Sequence, residues 1–210
     1  MSIAKEWGRP DDAILTELKK MLRRLPVERP GLTTKNKRLL RCFDDAEKLD
    51  ALIALPKKLW SAALKQGDPI RHLADAQCAL TNGILLFAPL RKANITALTI
   101  DKHVFLPQSP NGEALVELPA AMMKTREPFT LVLPPSVTKM LRAYKSIISD
   151  YVSGPERPLF INPDGSQKGS AVICSLIENA LHRELGVRMT THQFRRLAAK
   201  IMLDADPGAY

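Results

Sequence analysis

From Ile70 to about Phe87 the chain is apolar almost all the way round a helix, through Leu73, Ala74, Cys78, Leu80, Ile84 and Leu85. A helix without a wet face has to be covered on every side, so it belongs at the centre of the packing. Asp68-Pro69 opens it, with Pro69 at the first helical position, where a missing N–H costs nothing. Pro89 breaks it. The rest of the chain must supply the cover.

Amphipathic helices flank the central one. Asp44 or Asp45 begins a helical region carrying Leu49, Leu52, Ile53, Leu55, Leu59, Trp60 and Leu64, which Pro56 divides by starting a second helix. Ser136 caps a helix with Val137, Met140, Leu141, Tyr144, Ile147 and Ile148 inward. Ser170 caps another through Ile173, Leu176, Ile177, Ala180 and Leu181, stopping near Gly186. After Pro89, a short helix carries Ile95, Leu98 and Ile100, with Arg91 at the junction.

Between His103 and Leu133 the periodicity is that of strands. Val104-Phe105-Leu106, Leu115–Leu118 and Phe129–Leu133 are short extended runs. Pro110-Asn111-Gly112 marks the first turn, and the stretch from Met123 to Pro128 marks the second, with Lys124 beside the hairpin tip. Leu159-Phe160-Ile161 is a further extended piece, followed by the turn Asn162-Pro163-Asp164-Gly165. The expected fold class is mainly α with a small antiparallel β-sheet (α+β).

The expected domain organisation is a basic N-terminal segment over 1–44 and one domain over 45–210. Residues 1–18 read as a weak helix with Ile14, Leu15 and Leu18. From Lys19 to Arg41 there are nine basic residues and one acid, Glu28, interrupted by Pro26, Pro30 and Gly31, so no single helix covers the stretch. It suits either a phosphate backbone or a solvated linker. Thr33 or Thr34 caps a short helix through Arg41.

A net charge of +9 on 210 residues favours a polyanionic partner, nucleic acid before membrane. The longest apolar run, Ile84 to Leu90, contains a proline and falls far short of the ~20 residues a membrane span needs. Cys42, Cys78 and Cys174 form no CxxC pair and read as reduced packing residues, which suits a cytoplasmic protein. No Cys/His or carboxylate cluster calls for a metal.

The chemistry-bearing stretch is Thr190-Thr191-His192-Gln193-Phe194-Arg195-Arg196-Leu197-Ala198-Ala199-Lys200. His192 and Arg195 lie about one turn apart on one side of a helix whose opposite stripe is Phe194, Leu197 and Ala198. An imidazole and a guanidinium fork so placed suit a phosphate. The bland alternative is the wet face of an amphipathic helix. Arg91, at the end of a buried helix, is costly unless an acid or a bound phosphate meets it. His72 and His182 read as surface or capping residues.

The order of parts resembles the catalytic domain of tyrosine recombinases, the phage-integrase family, over roughly residues 45–210. The resemblance lies in Arg91 of Ala-Pro-Leu-Arg after a buried helix, Lys124 of Met-Lys-Thr-Arg-Glu in a hairpin, and His192 with Arg195 in Thr-His-Gln-Phe-Arg-Arg. The ensuing Leu-Ala-Ala-Lys-Ile-Met-Leu-Asp-Ala-Asp-Pro-Gly is also similar. It implies a site-specific DNA recombinase that breaks and rejoins phosphodiester bonds through a phosphotyrosine intermediate. Arg91 and Arg195 would hold the non-bridging oxygens, His192 would donate a hydrogen bond or help with proton transfer, and Lys124 would protonate the departing 5′ oxygen. No metal or nucleotide cofactor is implied. The implied partners are double-stranded DNA and, for a full-length protein, further copies in a tetramer on paired sites. The implied location is a bacterial cytoplasm, at the nucleoid.

The chain departs from that pattern. The family's nucleophilic tyrosine follows His-x-x-Arg on a further helix, after a Leu-Gly-His-like segment, whereas this chain ends at Tyr210, fifteen positions past Arg195. Tyr144, Tyr151 and Tyr210 are not read as nucleophiles. The chain is expected to be a truncated integrase, inactive by itself and in the alternative a non-catalytic DNA-binding module. Arg196 stands where many relatives have histidine, and Thr191 where many have proline. Residues 1–44 read as a linker or the tail of a DNA-clamping core-binding domain. A third reading is a helical protein whose basic faces serve solubility alone.

Overall fold

A computed structural model of the chain describes residues 11–24 and 33–205. The chain divides into two compact units, Met1–Thr34 and Lys35–Tyr210. In the first, α1 spans Asp12–Arg24. Asp11 Oδ1 accepts from the Ile14 amide at 2.8 Å, which satisfies one of the N–H groups that a helix start leaves unpaired. α1 continues well past the expected limit at residue 18, because Lys19, Lys20, Arg23 and Arg24 are good helix formers and no proline intervenes before Pro26. The rest of the broken basic stretch, 25–32, and Tyr210 lie outside the described residues.

The second unit is built around the apolar helix. α2 (Thr34–Arg41) delivers Leu40 to the core, and Phe43 follows it there. α3 (Ala46–Ala63) is capped by Asp45, whose carboxylate accepts from the Glu47 amide. α4 (Pro69–Phe87) has Asp68 as its cap and buries everything from Ala76 to Leu85. α3 and α4 form a tight antiparallel pair, joined at the turn by His72 Nδ1 bonded to the Ala63 carbonyl at 2.7 Å. Pro56 does not divide α3. It sits inside one continuous helix, buried with Leu52, Leu55, Leu59 and Ala63. The packed face on both sides of it outweighs the roughly 3 kcal/mol a helix-interior proline costs.

α5 (Lys92–Thr96) is shorter than expected, with Leu98 and Ile100 in the irregular chain beyond it. The sheet follows as β1 (Val104–Phe105), β2 (Leu115–Leu118) and β3 (Phe129–Val132). It is antiparallel in the order β1-β2-β3, with Val104 opposite Val116 and Leu118 opposite Phe129. Val116 and Leu118 face the core while Glu117 faces out, the alternation a half-buried strand requires.

α6 (Pro135–Ile148) starts from Pro134 with no side-chain cap, so Ser136 is not the cap. Pro135 takes the first helical position instead. α7 (Ser170–Leu185) begins from Gly169, also without a side-chain cap, so Ser170 is its first helical residue. It ends at Gly186 in the left-handed region, φ +67°, as the helix stop demands. α8 (Thr191–Ala205) completes the set. Buried polar groups tie the layers together. Gln77 Nε2 donates to the Ile161 carbonyl at 2.9 Å, and the Tyr144 hydroxyl donates to the Leu159 carbonyl at 2.7 Å. The fold is mainly helical with a small antiparallel sheet, and among the described residues no helix is long and apolar enough to cross a membrane.

Candidate functional site

Arg91 follows the buried end of α4 directly. The chain needs an extended residue to turn from α4 into α5, and Arg91 fills that place with φ −69° and ψ 154°. Its side chain is half-buried and makes no capping bond. Three residues on, Asn94 Nδ2 donates to the Met123 sulfur at 3.2 Å. The loop between β2 and β3 is thereby held against α5, with Lys124 the next residue along. Lys124 is exposed beside an open cleft of about 520 Å³ lined by Ala120, Ala121, Met123, Lys124 and Arg126.

α8 is fixed at both ends. Gln193 Oε1 accepts from the Thr190 amide at 2.8 Å, a reciprocal capping contact, and its Nε2 donates to Asn36 Oδ1 of α2 at 3.0 Å. Lys200 pairs with Asp44 at 2.7 Å and also with Asp204. Phe194 and Leu197 are buried, as the amphipathic pattern requires. His192 is left exposed and Arg195 half-buried on the other side.

Arg91 lies within electrostatic reach of Arg195. Burial, and then the charge of Arg91, hold the Arg195 guanidinium below the ordinary arginine value. The start of α7 closes the third side. Burial pushes the Cys174 thiol up, while Lys92 and the Thr191 hydroxyl beside it draw it back down and Glu178 adds to the rise. Thr191 is itself 4% exposed. The beginnings of α5, α7 and α8 therefore meet, and Arg91, His192 and Arg195 are carried on two of them. Lys124 adjoins Met123, whose sulfur meets Asn94 of α5, and bonds to none of the other three.

Among the described residues, no carboxylate pairs with Arg91, Lys124, His192 or Arg195. An acid neutralising Arg91, the ordinary explanation for a cation there, is absent from its described surroundings. Two guanidinium groups held near each other without a counter-charge are unfavourable as they stand, and an oxyanion between them would remove the penalty. No group of three or more His, Cys, Asp or Glu that could hold a metal occurs among the described residues.

The described tyrosines lie elsewhere. Tyr144 is fully buried, its hydroxyl held by Leu159 and pushed far above the ordinary phenol range by burial. The Tyr151 hydroxyl donates to the Pro69 carbonyl at 3.3 Å. Pro69 begins the 19-residue helix α4 and Arg91 follows its other end, so roughly 27 Å of helix separates the two.

Two cations near this region were not singled out from the sequence. Lys92 is exposed immediately after Arg91. Lys168, in the approach to α7, is only 6% exposed. Its setting, Ser-Gln-Lys-Gly, reads as an ordinary polar turn, and no local pattern marks such a lysine as buried.

No family model matches the chain, and no curated protein does. Solved structures do. XerH site-specific recombinase bound to difH substrate in a pre-cleavage complex superposes with a TM-score of 0.57 at 18% identity, over 77% of this chain and 42% of that one. XerH bound to palindromic difH substrate in a post-cleavage complex gives 0.56 at 18% identity over the same shares. XerA recombinase gives 0.51 at 13% identity, over 97% of this chain and 66% of that one. The chain thus spans less than half the length of the XerH structures. With its helices and three-stranded antiparallel sheet arranged as in these enzymes, the chain has the tyrosine-recombinase fold.

Proposed function

We propose that this chain binds duplex DNA and that Arg91, Lys124, His192 and Arg195 gather on one phosphodiester group. The observation that carries the reading is that Arg91, between α4 and α5, and Arg195, on α8, are both half-buried with no acid partner among the described residues, Arg91 lying within electrostatic reach of Arg195. The similarity in fold to recombinases solved on DNA supports the same partner.

In a protein that supplies the nucleophilic tyrosine, its oxygen would form a new bond to phosphorus while the bond to the 5′ oxygen breaks. The two arginines would hold the non-bridging oxygens as negative charge builds on them, with a fixed fork geometry that lysine lacks. His192 would donate to one of those oxygens or help with proton transfer. Lys124 would give a proton to the departing 5′ oxygen, and its exposed place at a loop tip lets it follow that oxygen. The energy of the broken bond stays in the phosphotyrosine link, so rejoining needs no nucleotide. Tetramers on paired sites, and a place at a bacterial nucleoid, belong to this reading of the full-length protein.

The 210-residue chain itself is proposed to bind without cleaving, because the hydroxyls of Tyr144 and Tyr151, the two tyrosines among the described residues, are engaged away from Arg91. Two measurements test this. Duplex binding titrated across a range of salt should weaken steeply as salt rises; failure to bind DNA at low salt sinks the reading. Incubation with a nicked suicide substrate should leave no covalent protein–DNA adduct. A covalent adduct would show that a tyrosine of this chain is competent and that the non-cleaving assignment is wrong.

A further inference from the structure

α6 carries Lys139, Arg142 and Lys145 and no acid anywhere along its length. Arg142 and Lys145 stand one turn apart on it. With Arg157, Ser146 and the loop after β1, these two line an open cleft of about 440 Å³, and no acid is among its described lining.

Both arginines are half-buried and held by backbone carbonyls. Arg142 Nη2 donates to the Pro107 carbonyl at 3.0 Å and the Ser109 carbonyl at 2.8 Å, and Arg157 Nη1 donates to the Val152 carbonyl at 3.2 Å. The Nε atoms of both are buried without a partner. A carbonyl occupies an N–H but leaves the guanidinium charge in place. The acids nearby are committed elsewhere, Asp101 to Lys145 at 3.1 Å and Glu156 to Lys102 at 2.7 Å. The cleft therefore holds two immobilised cations with no counter-charge among the described residues. At partial burial that is costly unless an anion meets them. A neutral amide would hold a loop carbonyl without this cost, so anchoring alone does not account for two arginines.

The cleft lies at the end of the sheet where β1 passes to β2, whereas Lys124 lies in the β2–β3 connection at the other end. The four residues of β2 put ~13 Å of strand between them. We infer that this cleft binds a phosphate group through Arg142 and Arg157, with Lys145 beside them. Fixed guanidinium donors suit a tetrahedral oxyanion, and a phosphate of up to two negative charges near neutral pH matches both uncompensated cations. A carboxylate would match only one. The inference does not rest on the DNA reading above.

The test titrates inorganic phosphate against chloride at matched ionic strength and follows the thermal midpoint. Arg91→Met in the 210-residue chain is the reference, so that a response from the candidate site does not mask this one. Phosphate should raise the midpoint of the reference beyond chloride. Adding Arg157→Gln should raise the half-saturating concentration roughly 10-fold, the loss of one charged hydrogen bond. Adding Asp101→Asn should lower it about 3-fold, because the Lys145 charge is released. Asp101 has φ +63°, a conformation asparagine tolerates. A purely structural role for the arginines predicts no such gain. No phosphate-specific rise in the reference, or equal half-saturation in all three chains, would overturn the proposal. If Arg157→Gln fails to fold, Asp101→Asn decides alone: tighter binding supports the site and an unchanged value refutes it. Duplex titration of Arg157→Gln then separates the sources. A salt slope reduced by about 1 identifies a backbone phosphate, and an unchanged slope identifies free phosphate or a phosphomonoester.

Discussion

Arg91 and Arg195 show what a single pair of side chains can store. Each is half-buried, the charge of Arg91 adds to the cost of charging Arg195, and no described acid relieves them. Arginine does not deprotonate in the accessible pH range, so the strain persists until an anion arrives. Replacing Arg91 by Met should therefore stabilise the chain by up to about 1 kcal/mol, the scale of a like-charge pair near a surface, while DNA affinity falls by about 1–3 kcal/mol. Urea unfolding and duplex titration of the same variant check both signs. Loss of stability on removing the charge would mean that Arg91 has a structural partner. His103 makes a second argument at this scale. Burial first, then Lys102, hold its imidazole below the ordinary value, against the Ala97 carbonyl and Glu156, and its Nδ1 is sealed without a partner. Well above pH 6.5 neither folded nor unfolded imidazole is charged, and the native state keeps its full stability. As pH falls below that, the unfolded chain takes up the proton first, so stability drops by up to about 1.4 kcal/mol per pH unit until the lowered native value is reached. Unfolding of wild type and His103→Gln at pH 7 and pH 5 should show the larger loss in the wild type; parallel losses would remove His103 as the cause.

Elements were legible in this sequence where side chains alone determine them. The apolar girdle of α4, the Asp45 and Asp68 caps, the Gly186 stop and the period-two runs of the sheet all rest on local rules, and each is present in the structure. Pro56 failed the same reading because its penalty is local and its compensation is not: the helix survives on packing against α4, which no window of sequence displays. The candidate site divides similarly. Arg91, Lys124, His192 and Arg195 stand out in the sequence as an ordered set of candidates, whereas the burial of Lys168 depends on how a turn packs. Gly83 tests the α3–α4 contact directly. It lies mid-helix, where glycine costs about 0.5–1 kcal/mol relative to alanine. An added Cβ would meet Val137 Cγ2 at 3.4 Å and Pro56 Cβ at 3.6 Å, ordinary contact distances. Gly83→Ala should therefore stabilise by roughly 0.5–1 kcal/mol, and Gly83→Val should destabilise by about 1–3 kcal/mol through overpacking. Thermal unfolding of the two variants decides it; a destabilised alanine variant would mean the two helices sit closer than this.

At the scale of the molecule, core and charge are unevenly divided between the two units. Among the described residues the buried core begins at Leu40, within the unit Lys35–Tyr210, and that unit also carries Arg91, Lys124, His192 and Arg195. It holds +7 of the +9 net charge, because the 34 residues before it nearly balance their basic and acidic groups. Field strength over a binding surface follows the local excess of charge, screened beyond about 10 Å at 0.1 M salt, so most of the attraction for a polyanion should reside in the larger unit. A chain beginning at Lys35 should accordingly unfold with an unchanged midpoint and bind duplex DNA within roughly 10-fold of the full chain. If the midpoint holds but affinity falls by a factor of 100 or more, the basic residues from Lys19 to Arg29 act as a clamp along the backbone, and the linker reading of that stretch is wrong. A lowered midpoint would instead mean that the first unit supports the second. Comparing the salt slopes of the two chains separates the cases, because a clamp removes several phosphate contacts at once and its loss must flatten the slope by the same number.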